Sequence, residues 1–214
     1  GKLRAKTARA GDFTGSVFRN GLMMAAGSVF GIQGLVYGAE LLYNENPTIA
    51  TNTTYLLQIY AGYFLILFLV LLFCFVCRAW TIAKVNYAFV FEFDTRHHLD
   101  WRQLSELPCF FLFLLGFIAW LNFSRFGSDN MYIYWPVLLI AVTVLVLFFP
   151  APVLYNRSRR WFLYSNWRLL LAGLYPVEFR DFFLGDMFCS LTYVMGHLEL
   201  FFCLYANDWA NPHK

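Results

Sequence analysis

Along the chain, long apolar runs alternate with short polar or basic connections. Runs near twenty residues fall at roughly 21–43, 55–79, 104–123, 132–150 and 182–206. A helix of about that length crosses the roughly 30 Å hydrocarbon layer of a bilayer. The pattern therefore predicts an all-α, polytopic membrane helical bundle with about five transmembrane helices. Residues 78–103 keep an apolar, helix-like pattern in TIAKVNYAFVFEF, so the second helix is expected to continue past the membrane into a helical connection. Residues 151–181 instead alternate basic and aromatic positions, as in RSRRWFLYSNWRLLLAGLYP. That alternation predicts an interfacial segment whose arginines meet anionic lipid headgroups, although the same stripe would also suit a phosphate-bearing ligand. Residues 1–20 form a basic arm, and 207–214 a short tail.

Composition supports a membrane setting. Of the 214 residues, 60% are hydrophobic, 21% aromatic and 14% charged. Soluble domains carry roughly a quarter charged residues, too many to match this chain. The net charge of +3 gives no reason to expect nucleic acid. The basic residues are distributed unequally. The N-terminal arm holds five, the 78–103 connection four and the 155–181 segment five, so fourteen of sixteen fall on one side. Arg125 and Lys214 are left for the other. The positive-inside rule then places the N-terminus in the cytosol and the C-terminus outside. The sequons at Asn52 and Asn122 fall in loops assigned outside, and the one at Asn156 inside.

Several residue patterns suggest packing or chemistry. Gly27, Gly31, Gly34 and Gly38 line one face of the first helix as two small-xxx-small units. That face permits close backbone approach, either by a second copy in a homodimer or by another helix of the same chain. In the fifth run, Ser190, Tyr193 and His197 fall within about 40° of Asp186 on a continuous helix, with Cys189 at the edge. Ionisable groups at bilayer depth usually face a cavity or a partner, so the stripe predicts a hydrated path. The plainer alternative pairs Asp186 with an interfacial arginine. Glu199 lies on another side of the helix.

The five cysteines do not suggest a disulfide framework, and Cys74 and Cys77 read as small packing residues within a span. His97 and His98 read as a solvated junction. No catalytic motif, metal set or cofactor motif is visible, which points away from an enzyme.

The stretches VNYAFVFEFDTRHHLDWRQLSELP and FRDFFLGDMFCSL resemble the eukaryotic phosphate exporters with SPX and EXS domains, the xenotropic and polytropic retrovirus receptor family, and its fungal Syg-type members most of all. Trp80, Val85, Asn86, Phe91, Glu92, Leu99 and Glu106 carry the first part of the resemblance. YNRSRRWFLY and the group Phe179, Asp181, Phe182, Leu184, Asp186, Ser190 and Leu191 carry the second. The resemblance implies a homodimeric exporter of inorganic phosphate, gated by inositol pyrophosphate through an SPX domain that these residues do not include. It implies ten spans, of which these are the first five, so the chain is expected not to transport alone. It also gives Asp186 a phosphate-contacting role, with Cys189 standing where better-known members have Asn. Cys189, Ser190 and Tyr193 complete the expected substrate-binding set. The plasma membrane is the expected location, with an internal membrane as the alternative. A receptor or signalling scaffold whose helices dimerise without transporting is the rival reading.

Overall fold

The computed structural model describes residues 10–43, 46–91, 100–127, 131–151, 155–207 and 209. Helix α1 (Ala10–Leu42) is followed by α2 (Pro47–Ile82) and two short helices, α3 (Tyr87–Val90) and α4 (Trp101–Leu104). Then come α5 (Glu106–Phe123), α6 (Trp135–Phe148), α7 (Asn156–Leu170), α8 (Phe179–Ser190) and α9 (Thr192–Ala206). His97 and His98 lie outside the described residues.

Local chemistry explains several boundaries. Asn46 caps α2, its side chain accepting from the Thr48 amide at 3.1 Å, and Pro47 follows where no amide donor is needed. Asp100 and Gln103 form a reciprocal capping box at α4. At 36 residues α2 is about 54 Å long, well beyond the hydrocarbon thickness. Its length carries the second apolar run past the hydrocarbon, but the helix stops at Ile82, and α3 follows only after a turn in which Lys84 has φ 56°.

Among the described residues, α1, α2 and the stretch Trp101–Phe123 are each long and apolar enough to cross a bilayer. The bent pair α8 and α9 meets the same test only when its two halves are taken together, as a broken span or a re-entrant loop. The remaining apolar run is α6, whose 14 residues reach about 21 Å, preceded by a 3-10 turn at Met131–Ile133.

Helices α1 and α5 run parallel and touch backbone to backbone. A Cβ built on Gly27 would lie 2.8 Å from the Phe113 Cα, and one on Gly34 2.9 Å from the Trp120 nitrogen. Gly116 answers from α5, where a Cβ would meet the Gly27 carbonyl oxygen at 2.1 Å. The glycine face of α1 thus lies within the chain, and Phe30 beside it packs on Phe113, Phe117 and Trp120. The core is built by α2 and α5 around Leu56, Tyr60, Phe111, Leu115, Ile118 and Phe123. Inside it, the buried Asn122 donates to the Tyr60 hydroxyl at 2.6 Å. That burial removes Asn122 as a glycosylation acceptor, against the sequon reading. Cys74, Cys77 and Cys109 are buried free thiols.

Candidate functional site: the outward face of the bent α8–α9 helix

The fifth apolar run was expected as one continuous helix, but it breaks at Leu191, and α8 and α9 meet at 66°. Neither proline nor glycine causes the break. Leu191 leaves the helical region (φ −96°, ψ 13°) and its amide bonds back to the Phe188 carbonyl at 3.0 Å. The hydroxyls on either side take carbonyls of the preceding turn. Ser190 Oγ donates to the Asp186 carbonyl at 3.0 Å and Thr192 Oγ1 to that of Cys189 at 2.6 Å. Such back-bonding bends helices slightly, though Thr53 and Thr81 make it within the unbroken α2. The break splits the single stripe expected through Asp186, Ser190, Tyr193 and His197. Asp186, Cys189 and Ser190 stand on α8, and Tyr193 and His197 on α9.

All four expected substrate-binding residues, Asp186, Cys189, Ser190 and Tyr193, are exposed. The Asp186 carboxylate makes no hydrogen bond or ion pair with the described residues. Tyr193 stands edge-on to His197, with ring centroids 4.5 Å apart, and is 71% exposed. His197 reaches inward. A Cβ on Gly62 of α2 would lie 2.8 Å from the His197 Cβ, so this glycine admits α9 at close range. Glu199 is exposed elsewhere on α9.

Two arginines of the preceding basic segment and the start of α8, Arg168 and Arg180, pair with acids other than Asp186. Arg168, buried on α7, donates through Nη1 to Glu178 at 2.9 Å and through Nη2 to Asp181 at 3.0 Å and the Pro176 carbonyl at 2.8 Å. Asp181 also accepts the Glu178 amide at 2.9 Å, capping the start of α8. Arg180 pairs with Glu178 at 2.5 Å. Burial works against the Arg168 cation, but Glu178 and Asp181 outweigh it and raise its pKa above the ordinary guanidinium value.

A second polar hub joins α1, α5 and the start of α7. Glu106 accepts from Ser16 at 2.6 Å, from Arg19 at 2.5 Å and from the Tyr155 hydroxyl. Burial and the Glu106 carboxylate push the Tyr155 hydroxyl above the usual tyrosine range.

The basic-aromatic segment is helical, as its pattern suggests, but part of it faces inward. Arg159 donates to the carbonyls of Val146 and Leu147, completing the end of α6, and Arg168 and Arg180 serve the pairs above. Arg157 and Arg160 are the exposed arginines of α7. Counting charges could not separate these two groups, because it carries no information about which face each residue takes. One signal was available: Glu178 and Asp181 stand three residues apart ahead of an apolar run, the spacing of a helix cap. Among the described residues, no group of three or more His, Cys, Asp or Glu is arranged to hold a metal ion.

Apolar helices in an all-α bundle, with the polar groups gathered on helix ends and on one outward face, define a polytopic membrane protein. The chain belongs to the EXS family, whose pattern matches residues 56–214. It is 38% identical over 203 residues to the Protein SYG1 homolog of Schizosaccharomyces pombe, covering 94% of this chain and 28% of that protein. It is 30% identical over 193 residues to Solute carrier family 53 member 1 of Mus musculus, covering 89% of this chain and 27% of that one. SPX and EXS domain-containing protein 5 of Dictyostelium discoideum is 27% identical over 161 residues, covering 72% of this chain and 17% of its own length. The chain thus spans about a quarter or less of the length of these relatives.

Proposed function

We propose that this chain forms part of a transmembrane exporter of inorganic phosphate, and that the outward face of α8 and α9 lines the route from the cytosol. One observation carries the reading. A carboxylate with no partner among the described residues, Asp186, stands with Ser190 and Cys189 on the outer face of a helix in an apolar run. Leaving such a group against lipid costs several kcal/mol, roughly 2.5–3.5 on insertion scales, so it calls for a polar cover or a hydrated path. Membership of the EXS family and the likeness to a solute carrier support a transport reading of that path. Near neutral pH phosphate keeps at least one proton, so Asp186 can accept a hydrogen bond from a P–OH group. Sulfate has no proton to offer, and a carboxylate there rejects it. Arginines supplied by other helices would provide the attraction.

The same reading gives the whole protein a homodimeric state and a plasma-membrane location. It also assigns regulation by inositol pyrophosphate through an SPX domain; the Dictyostelium relative's name puts SPX and EXS domains in one protein. Arg157 and Arg160 are its contacts for anionic lipid. The test is radiolabelled phosphate efflux from proteoliposomes holding the full-length protein. Asp186→Asn keeps the size but adds a donor, and should abolish efflux or its preference over sulfate while the protein still reaches its membrane. Normal efflux and preference in that variant would make Asp186 structural. An absence of any flux from the unaltered protein would favour a receptor or scaffold.

A further inference from the structure

We propose that Arg168 is a positioning residue, setting the rotation of α8 and so the direction in which Asp186 points; the proposal rests on the substrate-facing reading of Asp186 above. The break at Leu191 makes such a residue necessary. Below it, α8 is not continued by regular helix into α9, so the docking of His197 on Gly62 does not fix how α8 is turned about its own axis. Phe183 packs on Phe73 and Phe91 along the helix, but the directional, forked contacts are at the other end. Arg168 grips Glu178, Asp181 and the Pro176 carbonyl at once, with its guanidinium also 5.6 Å from the Tyr175 ring centroid and 6.0 Å from that of Tyr164. The Arg168 side chain is 6% exposed, so water competes little for these bonds. Its own helix is held in turn, by Tyr155 on Glu106 and Arg159 on the end of α6.

Asp181 and Asp186 are five residues apart, about 140° around the helix and about 7.5 Å along it. The gripped face therefore turns the Asp186 face outward. A carboxylate about 5 Å from the helix axis moves roughly 2 Å for a 20° rotation. Misplacing a group by about 1 Å can already cost a hundredfold where geometry matters. Lysine cannot replace arginine here, because a compact ammonium does not fork to two carboxylates and a carbonyl together.

Cys189, exposed on the same side of α8, reports the rotation without reference to transport. The full-length protein in proteoliposomes is treated with a water-soluble maleimide, and labelling at Cys189 is followed by mass spectrometry beside phosphate efflux. In Arg168→Lys and Asp181→Asn, the Cys189 labelling rate should change at least threefold. The half-saturating phosphate concentration should rise about tenfold, with protein abundance and maximal rate kept within twofold. A bracket that only stabilised the fold would lower abundance and leave both readouts where they were, and that result overturns the proposal. So does an unchanged labelling rate in both variants. If labelling shifts but Asp186→Asn exports phosphate normally, the bracket stands and the substrate role of Asp186 falls.

Discussion

Alanine substitutions along α1 should change sign within a single helical turn. At Gly31 a new Cβ would meet the Gly116 Cα at 3.7 Å, an ordinary van der Waals distance. Alanine there relieves the backbone-entropy cost of a mid-helix glycine, about 0.5–1 kcal/mol, and adds contact, so Gly31→Ala should be neutral or stabilising. At Gly34 the Cβ would come within 2.9 Å of the Trp120 nitrogen and 3.1 Å of the Ala119 carbonyl carbon. Those are backbone atoms in a continuous helix, so α1 and α5 must part by roughly half an ångström or more along their shared length. Overpacking of this kind costs about 1–3 kcal/mol, which outweighs the propensity gain. Gly116→Ala should be worst, because its Cβ would sit 2.1 Å from the Gly27 carbonyl oxygen. Gly21, with nothing within 4 Å, is the control and should show the propensity gain alone. Thermal denaturation of the detergent-solubilised protein, followed by fluorescence-detected size exclusion, reads all four. Equal melting temperatures for Gly31→Ala and Gly34→Ala would refute the α1–α5 contact. Cross-linking between copies through cysteines on this face in native membranes would move the glycine ridge to a subunit interface.

Two further outcomes follow from charge. A cysteine introduced at residue 52 should be labelled by an impermeant reagent from outside the cell and one at 160 should not; the reverse pattern would overturn the orientation read from the basic residues. Replacing exposed Arg157 and Arg160 together by Glu should weaken association with anionic-lipid nanodiscs in a salt-dependent way, since each basic residue near such a surface contributes about 1 kcal/mol. The buried Arg159 does not belong to that exposed pair, so an Arg159→Gln variant should lower the melting temperature and leave the lipid dependence unchanged.

The sequence made the helices legible because a bilayer imposes a length, and runs that long have few other uses. It made the glycine face legible as a face, since the 4, 3, 4 spacing follows the helical repeat, but spacing cannot name the helix opposite. The break at Leu191 was hidden for a different reason. The usual punctuation is absent there, and the hydroxyls of Ser190 and Thr192 are no sequence signal, since Thr53 and Thr81 make the same kind of back-bond within the unbroken α2. Arginines were the hardest to read. In a segment rich in aromatics they look lipid-facing, yet Arg159 and Arg168 are buried because carbonyls and acids of other elements wait for them. The outward residues of α8 came from one family motif, and their common exposure is something that no spacing rule distinguishes from burial.

The two stretches that carry the family likeness, some ninety residues apart, meet in space, and where they meet bears on how α8 works. Phe91, 3% exposed at the end of α3, has its ring 5.0 Å from Phe183 and 5.4 Å from Phe179 of α8. Trp80 and Phe73 of α2 close the cluster at 6.0 and 6.2 Å. Phe183 and Asp181 lie about 160° apart around α8. The helix is thus attached by rings on one flank and by the arginine bracket on the other, which resists rotation better than either contact alone. Aromatic contact is nondirectional enough to tolerate a few degrees of turning, whereas a forked ion pair is not. The rings hold α8 against α2 and the arginine selects its angle. The Asp186 face, between these attachments and the open side, is the part of α8 that the described helices leave for something else to cover.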